Sequence, residues 1–242
     1  PRFVAKFRPA DNHILKAMFG TAFRAPSIYE YTYSDGGISS AASPGVKPER
    51  VLTSELEYLW QATDDLLINV GAFFSVIQNN VTVVGDGETE LFRYSNLAED
   101  VLSAGFEVEV RREFRRGLMV AANYAFQRTR VKSLKSKEEE PNSPPHLFGA
   151  RLVAPIVGRE LGLATRLTLE SGRRTREGAH TDAAVLWDIG LQGHVAAVGM
   201  DYSISIQNAL DWKYEHPVGD EILDPVMPAH PFAVKADISV RF

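Results

Sequence analysis

Apolar and polar side chains alternate along most of this chain, and the alternation is cleanest in two places. From Val101 to Arg111, Phe106, Val108 and Val110 stand against Glu107, Glu109 and Arg111. In the last eleven residues, Val234, Ala236, Ile238, Val240 and Phe242 fall on one parity, and Lys235, Asp237, Ser239 and Arg241 on the other. Successive side chains of a strand point to opposite faces. Each segment therefore predicts a strand with one apolar wall and one charged wall, and the second ends the sequence on an aromatic.

The same period recurs at Arg2–Pro9, Ile14–Phe23, Val51–Trp60, Leu66–Ile77, Leu118–Arg128, Leu147–Ala154, Leu161–Glu170, Val185–Gln192 and Gly199–Asn208. That makes about eleven strands. The connections alternate in length. Short ones lie at Asp11-Asn12, Asp64-Asp65, Phe114–Gly117, Val157–Arg159 and Val195–Val198. The longer ones are a Tyr-, Gly-, Ser- and Pro-rich stretch over about 24–50 and a medium loop around Gly85-Asp86-Gly87. Three more follow: the charged segment Lys132–Pro145, a basic loop at Arg173, Arg174 and Arg176, and a proline-bearing loop from Trp212 to His230.

Strands of roughly 9–11 residues cross a bilayer when tilted. Short turns at one end and long loops at the other are the arrangement of outer-membrane barrels, whose short turns are periplasmic. A soluble sandwich has shorter strands and no such asymmetry. The predicted fold is therefore all-β, an antiparallel transmembrane β-barrel.

Composition narrows this picture. Of 242 residues, 45% are hydrophobic and 24% charged, which excludes disorder. No apolar run approaches the roughly 18 residues of a spanning helix, which rejects helical membrane proteins but not barrels. A formal net charge of −5 gives no reason to expect nucleic acid as a partner. The absence of cysteine removes disulfides, cysteine nucleophiles and thiolate metal sites. The sequence opens on Pro1 with no signal peptide, so it reads as a mature fragment or as a chain whose N-terminal part lies elsewhere.

An odd strand count carries its own implication. Complete barrels of this class have an even count. A half-barrel would leave two unpaired edges in lipid, where each unsatisfied backbone group costs several kcal/mol. The chain thus reads as the C-terminal half of a larger barrel.

Several segments resemble those of TonB-dependent outer-membrane receptors. Phe23-Arg24-Ala25-Pro26-Ser27 with Glu30 is similar to that family's FRAPS-x-x-E segment. Val46-Lys47-Pro48-Glu49 followed by Glu55 and Glu57 resembles its L-K-P-E stretch, with Val46 in place of leucine and Tyr58 near the usual glycine. Tyr94-Ser95-Asn96 and Ala104-Gly105-Phe106-Glu107-Val108-Glu109 resemble its N…A-x-x-x-G-x-E-x-E strand opening. Gln207-Asn208-Ala209-Leu210-Asp211 with Tyr214 and Pro217 resembles its penultimate loop. Met227–Pro231 departs from the P-G-R that often precedes the last strand. The motifs span essentially the whole chain in family order.

The resemblance implies a 22-stranded barrel, of which residues 1–242 are the C-terminal part. The globular plug domain is absent, and with it the segment that contacts the TonB complex. It implies a receptor that binds a scarce nutrient, such as a ferric siderophore, haem or cobalamin, and imports it with energy from the inner membrane. It implies no bond chemistry, no enzyme and no cofactor. Partners would be the TonB complex through the missing plug, outer-membrane lipid, and the barrel-assembly machinery, which would read Phe242 as an assembly signal. The alternatives are a passive porin-like channel or a non-transporting structural barrel, with a soluble β-rich binding module as a third.

Candidate substrate-binding residues lie on the long loops. Tyr29, Tyr31, Tyr33 and Asp35 offer rigid contact area and hydrogen-bonding tips, although the tyrosines would also suit an interface girdle. Arg173, Arg174 and Arg176 could hold an anionic chelate or a lipopolysaccharide phosphate, or form a solvated loop. His180, His194, His216 and His230 match no metal-ligand spacing. Pairing Ser171 or Asp182 with His180 as a catalytic set has no support in the spacing. Glu55, Glu57, Glu107, Glu109, Arg111, Arg166, Asp237 and Arg241 are expected to face the lumen and form ion pairs there.

Overall fold

The computed structural model describes residues 1–85, 91–132, 139, 141–219, 222 and 224–240. The strands are β1 (Arg2–Ala10), β2 (His13–Arg24), β3 (Glu49–Thr63), β4 (Leu66–Gln78), β5 (Val81–Gly85), β6 (Phe92–Asn96), β7 (Val101–Glu113), β8 (Met119–Val131), β9 (His146–Val157), β10 (Leu161–Glu170), β11 (Ala184–Val195), β12 (Met200–Gln207), β13 (Glu215–Pro217), β14 (Val226–Pro228) and β15 (Ala233–Val240). One short helix, α1 (Ile28–Thr32), follows β2.

Eleven of these strands form one antiparallel sheet in the order β1-β2-β3-β4-β7-β8-β9-β10-β11-β12-β15. Every neighbour in that order is also the next long strand in sequence, so the sheet is a meander. Short turns join β1 to β2, β3 to β4, β7 to β8, β9 to β10 and β11 to β12, all at one end. The long connections gather at the other. They hold α1 and two small hairpins, β5–β6 and β13–β14, where the sequence predicts only loop. The strands also outrun expectation: β3 has 15 residues against the ten predicted, because its ladder to β2 continues to Arg24 and Glu49 at the loop end and its ladder to β4 continues to Thr63 and Leu66 at the short turn. Phe242, Arg241, Asp86, Gly87, Glu138 and Glu140 lie outside the described residues.

Register places the alternation. Residues directly opposite share a face. Leu56, Ala72, Phe106 and Phe126 form one continuous row, and Leu167, Trp187, Ile204 and Ala236 belong to the same face. This face is apolar and open: Phe3 is 65% exposed, Phe74 48% and Ile238 72%. The hydrophobic residues buried among those described are only Val46, Val101, Ala121 and Ala184. A water-soluble domain of this length buries the majority of the surface its unfolded chain exposes. This one turns its large apolar side chains outward, which is stable only against lipid. No described helix is long and apolar enough to cross a membrane, and the crossing is left to the strands.

Candidate functional site

The opposite face carries the polar parity and lines the lumen. The expected pairing is only partly present. Lys16 Nζ lies 2.8 Å from Glu57, directly across β2–β3. Arg111 pairs with Glu113, and Lys235 reaches Asp237 at 3.8 Å. Glu55, Glu107, Glu109 and Arg166 make no ion pair among the described residues. The register explains why. Glu107 sits between Gly71 and Ala125, Glu109 between Asn69 and Asn123, and Glu55 between Met18 and Phe73. None of those neighbours is a cation. Further round the wall, Arg151 and Arg166 stand directly opposite one another. Asp188, across from Arg166, accepts the Asn208 amide at 2.9 Å instead. The lumen therefore carries an acidic strip that meets a basic pair, since Glu109, Arg151 and Arg166 line one cavity without an ion pair among them.

At the loop end, a single latch ties three chain segments together. Ser27 caps α1: its hydroxyl accepts from the Glu30 amide at 3.1 Å, and the Glu30 carboxylate accepts from the Ser27 amide at 2.7 Å. Arg24, at the end of β2, donates to both oxygens of Glu30 at 2.9 Å and forks onto Glu49 at 2.7 and 2.9 Å. Glu49 is buried and also accepts the Val81 amide at 2.7 Å. Burial by itself would raise the Glu30 carboxyl. The hydrogen bonds from Ser27 and Arg24 outweigh it and hold that group below its usual range.

The β5–β6 hairpin is laced to the same region. Asn96 accepts the Lys47 amide at 2.7 Å and donates to Lys47 and Asn79 carbonyls. Ser43 accepts the Tyr94 amide at 2.9 Å and donates its own to the Tyr31 carbonyl. At the far side of the rim, Asn208 takes a left-handed conformation (φ 48°), accepts the Trp212 amide, and donates to the Trp212 and His230 carbonyls. Arg24, Ser27, Glu30, Glu49, Asn96 and Asn208 are the residues of the motifs read in the sequence, and all of them act as staples for the loops.

The candidate binding residues are distributed over this frame. Tyr29 and Tyr33 stack with ring centroids 4.3 Å apart, and Tyr94 meets Tyr29 edge-on at 6.2 Å. All three of Tyr29, Tyr31 and Tyr33 are exposed. Asp35 serves the loop itself: it accepts from the Ser39 hydroxyl at 2.6 Å and from the amides of Ile38, Ser39 and Ser40. Those donors, the Ser39 hydroxyl first, hold its carboxyl far below the ordinary range. Arg173 is likewise engaged, with two donors on Glu170 at 2.6 and 2.9 Å and a third on Asn142. Arg174 donates to the Glu139 carbonyl. Arg176 lines a cleft of about 290 Å³ with Asn80, Thr82, Asn142 and Pro217. The β5–β6 hairpin reaches both groups, with Tyr94 against Tyr29 and Thr82 lining the cleft that holds Arg176. Tyr94 and Asn142 were missed in the sequence because nothing in a linear reading ties them to Tyr29 or Arg173.

Ser171 and His180 are placed apart in role. The Ser171 hydroxyl accepts the His146 amide, and His180 bridges to Arg174. His194, at the short-turn end, pairs with Asp201 at 2.8 Å.

A sequence comparison with curated proteins finds no match. Solved structures do match. The ferric-catecholate import receptor Fiu of Escherichia coli K12 superposes with a TM-score of 0.72 at 18% identity, over 98% of this chain and 34% of its own. The FrpB iron transporter of Neisseria meningitidis gives 0.72 at 16%, over 98% and 38%. The ferric yersiniabactin uptake receptor FyuA of Yersinia pestis gives 0.73 at 14%, over 100% and 37%. The chain thus spans little more than a third of each. These neighbours are transport receptors, not enzymes. The family model described as TonB dependent receptor-like, beta-barrel, matches residues 1–209, and the chain belongs to that outer-membrane family.

Proposed function

We propose that this chain is the C-terminal half of a 22-stranded outer-membrane receptor that binds a scarce nutrient at its outer loops and imports it with energy from the TonB complex. The substrate class we favour is a ferric siderophore, the cargo named for several structural neighbours. The observation that carries the reading is the lumen wall. Glu55, Glu107 and Glu109, and Arg151 beside Arg166, lack ion-pair partners among the described residues, although Glu109 shares a cavity with the two arginines. Charged walls of this kind suit a polar body seated in the lumen, such as a plug domain, better than open water. The two free sheet edges, β1 and β15, favour a larger closed barrel for the same hydrogen-bonding reason.

Ligand contact falls to Tyr29, Tyr31 and Tyr33, with Tyr94, on one side of the outer mouth, and to Arg174 and Arg176 on the other. Asp35 and Arg173 shape the loops that present them. Phe242 serves as the assembly signal read by the barrel-assembly machinery. Uptake of radiolabelled ferric siderophores by iron-starved cells, with and without the gene and with and without the inner-membrane energy source, tests this. Energy-dependent uptake that disappears with the gene supports it. Uptake that ignores the energy source, together with steady conductance in planar bilayers, would mean a passive channel.

A further inference from the structure

We propose that the outer end of β8 carries, on its lipid-facing side, a docking site for a phosphate-bearing lipid headgroup of the outer leaflet. The even-numbered residues of β8 point outward, since Val120, Ala122, Tyr124 and Phe126 share that face with Val110, Val108 and Phe106 of β7. Reading from the short-turn end, this face runs Val120, Ala122, Tyr124, Phe126, Arg128, Arg130. The order is aliphatic, then aromatic, then basic.

The aromatic part is a compact belt. Phe106 lies 5.9 Å from Tyr124 and 5.8 Å from Phe126, and His146 lies 5.1 Å from Phe126. The Tyr124 hydroxyl bonds the His146 ring at 2.7 Å. Amphipathic rings of this kind settle where hydrocarbon gives way to headgroups. A strand rises about 3.3 Å per residue, so Arg128 and Arg130 stand roughly 7 and 13 Å further along β8, less in height once the strand tilts. The headgroup layer is about 5–8 Å deep on each side of the hydrocarbon. At a tilt of about 45° those rises become about 5 and 9 Å, which puts Arg128 within the polar layer and Arg130 at its outer edge, where the long side chains reach the level of lipid phosphates.

Their surroundings leave them available. Arg128 is 57% exposed and has one acidic partner, Glu139, at 2.9 Å. Arg130 is exposed and makes no side-chain ion pair among the described residues, although the backbone of Glu139 bridges to it, so this one carboxylate is the acidic neighbour of both arginines. Lys132 is exposed just beyond. Two forked donors side by side match phosphate oxygens in pairs. Elsewhere outward cations at the outer strand ends are sparse: β10 and β11 present Leu169, Val185 and Trp187, and β3 presents Arg50 alone. Among the described strands of the large sheet only β8 stacks two outward cations, so the site is a patch rather than a uniform girdle.

The test uses the folded full-length receptor in neutral detergent, doped with lipid A or with the same lipid stripped of its phosphates. Native mass spectrometry counts bound lipid, and thermal unfolding reads the stabilisation. Wild type should retain and be stabilised by the phosphorylated lipid alone. The R128S/R130S variant, checked for folding by its heat-modifiable gel mobility, should lose about fivefold in affinity per arginine, or roughly 25-fold together. E139Q should bind more tightly, because it releases Arg128. Equal binding of the dephosphorylated lipid by wild type would overturn the proposal even if the double variant failed to fold. So would unchanged retention in a folded R128S/R130S protein. An equal effect of inorganic phosphate would overturn the assignment to lipid.

Discussion

The two faces of one sheet answer to different solvents, and β12 shows the contrast in adjacent residues. Ile204 points outward between Leu191 and Ala236, while Ser203 points into the lumen between Gln192 and Asp237. Both are partly exposed in the isolated sheet, so exposure alone does not separate them. What separates them is what lies beyond the surface. Outside is hydrocarbon, which accepts no charge. Inside is a polar space in which the wall leaves Glu107, Glu109 and Arg166 without an ion pair among the described residues.

The largest expected effect breaks that contrast directly. Ile204→Arg should cost about 2–4 kcal/mol of folding stability in lipid vesicles, as expected for a cation near the bilayer midplane. Ser203→Arg, one residue away, should cost less than about 1 kcal/mol, because Asp237 stands across from it. Denaturant titration of the barrel in vesicles compares the two, and equal losses would show that the faces are misassigned. The pair Val240→Asp and Ser239→Asp repeats the test nearer the interface. There the lipid-face penalty shrinks, and assembly yield in cells should separate the two by a smaller margin.

A smaller effect is expected at the rim, where neither lipid nor lumen decides. Arg24→Ala leaves Glu49 buried without its fork and removes the tie to Glu30. The loss should be about 1–3 kcal/mol, discounted toward the lower end because Arg24 is 46% exposed. Arg24→Lys should recover only part of it, since a lysine cannot fork onto Glu49 while reaching Glu30. Protease protection of residues 25–48 measures this. A variant as protected as wild type would mean that the latch is not what orders the loop.

These contrasts also mark where the sequence was legible. Alternation placed all eleven long strands, because a period of two records which neighbour is lipid and which is not. It could not place β5–β6, β13–β14 or α1, which form where loop backbone is pinned by side chains far away in sequence, as Asn96 pins Lys47 and Arg24 pins Glu49. It also overpaired the lumen. Inward parity says that Glu107 and Glu109 share a face, but only register reveals that glycine, alanine and asparagine stand opposite. Gly105 is a similar case. A Cβ there would meet the Phe126 carbonyl at 2.3 Å and the Phe73 ring at 2.7 Å, a constraint set by two neighbouring strands and invisible in one. The binding candidates divided for the same reason. Tyr29 and Tyr33 find each other locally along α1 and Arg173 forks locally onto Glu170, whereas the third donor of Arg173 goes to Asn142, 31 residues away.

The smallest effect concerns a loop tip whose order depends on one carboxylate. Asp35 accepts four hydrogen bonds from Ile38, Ser39 and Ser40, all of which favour its charged form. Its folded pKa therefore lies below the ordinary value of 3.8. A depressed carboxyl contributes stability that is fully present above its unfolded pKa and is lost as pH falls through the folded one. Loop order at Gly36–Ser40 should accordingly be constant from neutral pH down to about pH 4 and weaken only in stronger acid. Asp35→Asn should loosen the tip at neutral pH, because an amide oxygen is a weaker acceptor and the second oxygen becomes a donor facing the Ser39 amide. Hydrogen exchange at Ser39 and Ser40 reads both. Global stability should not change, since the segment lies outside the sheet. Exchange that begins to rise at pH 6 instead would mean that some other group, not Asp35, holds the turn.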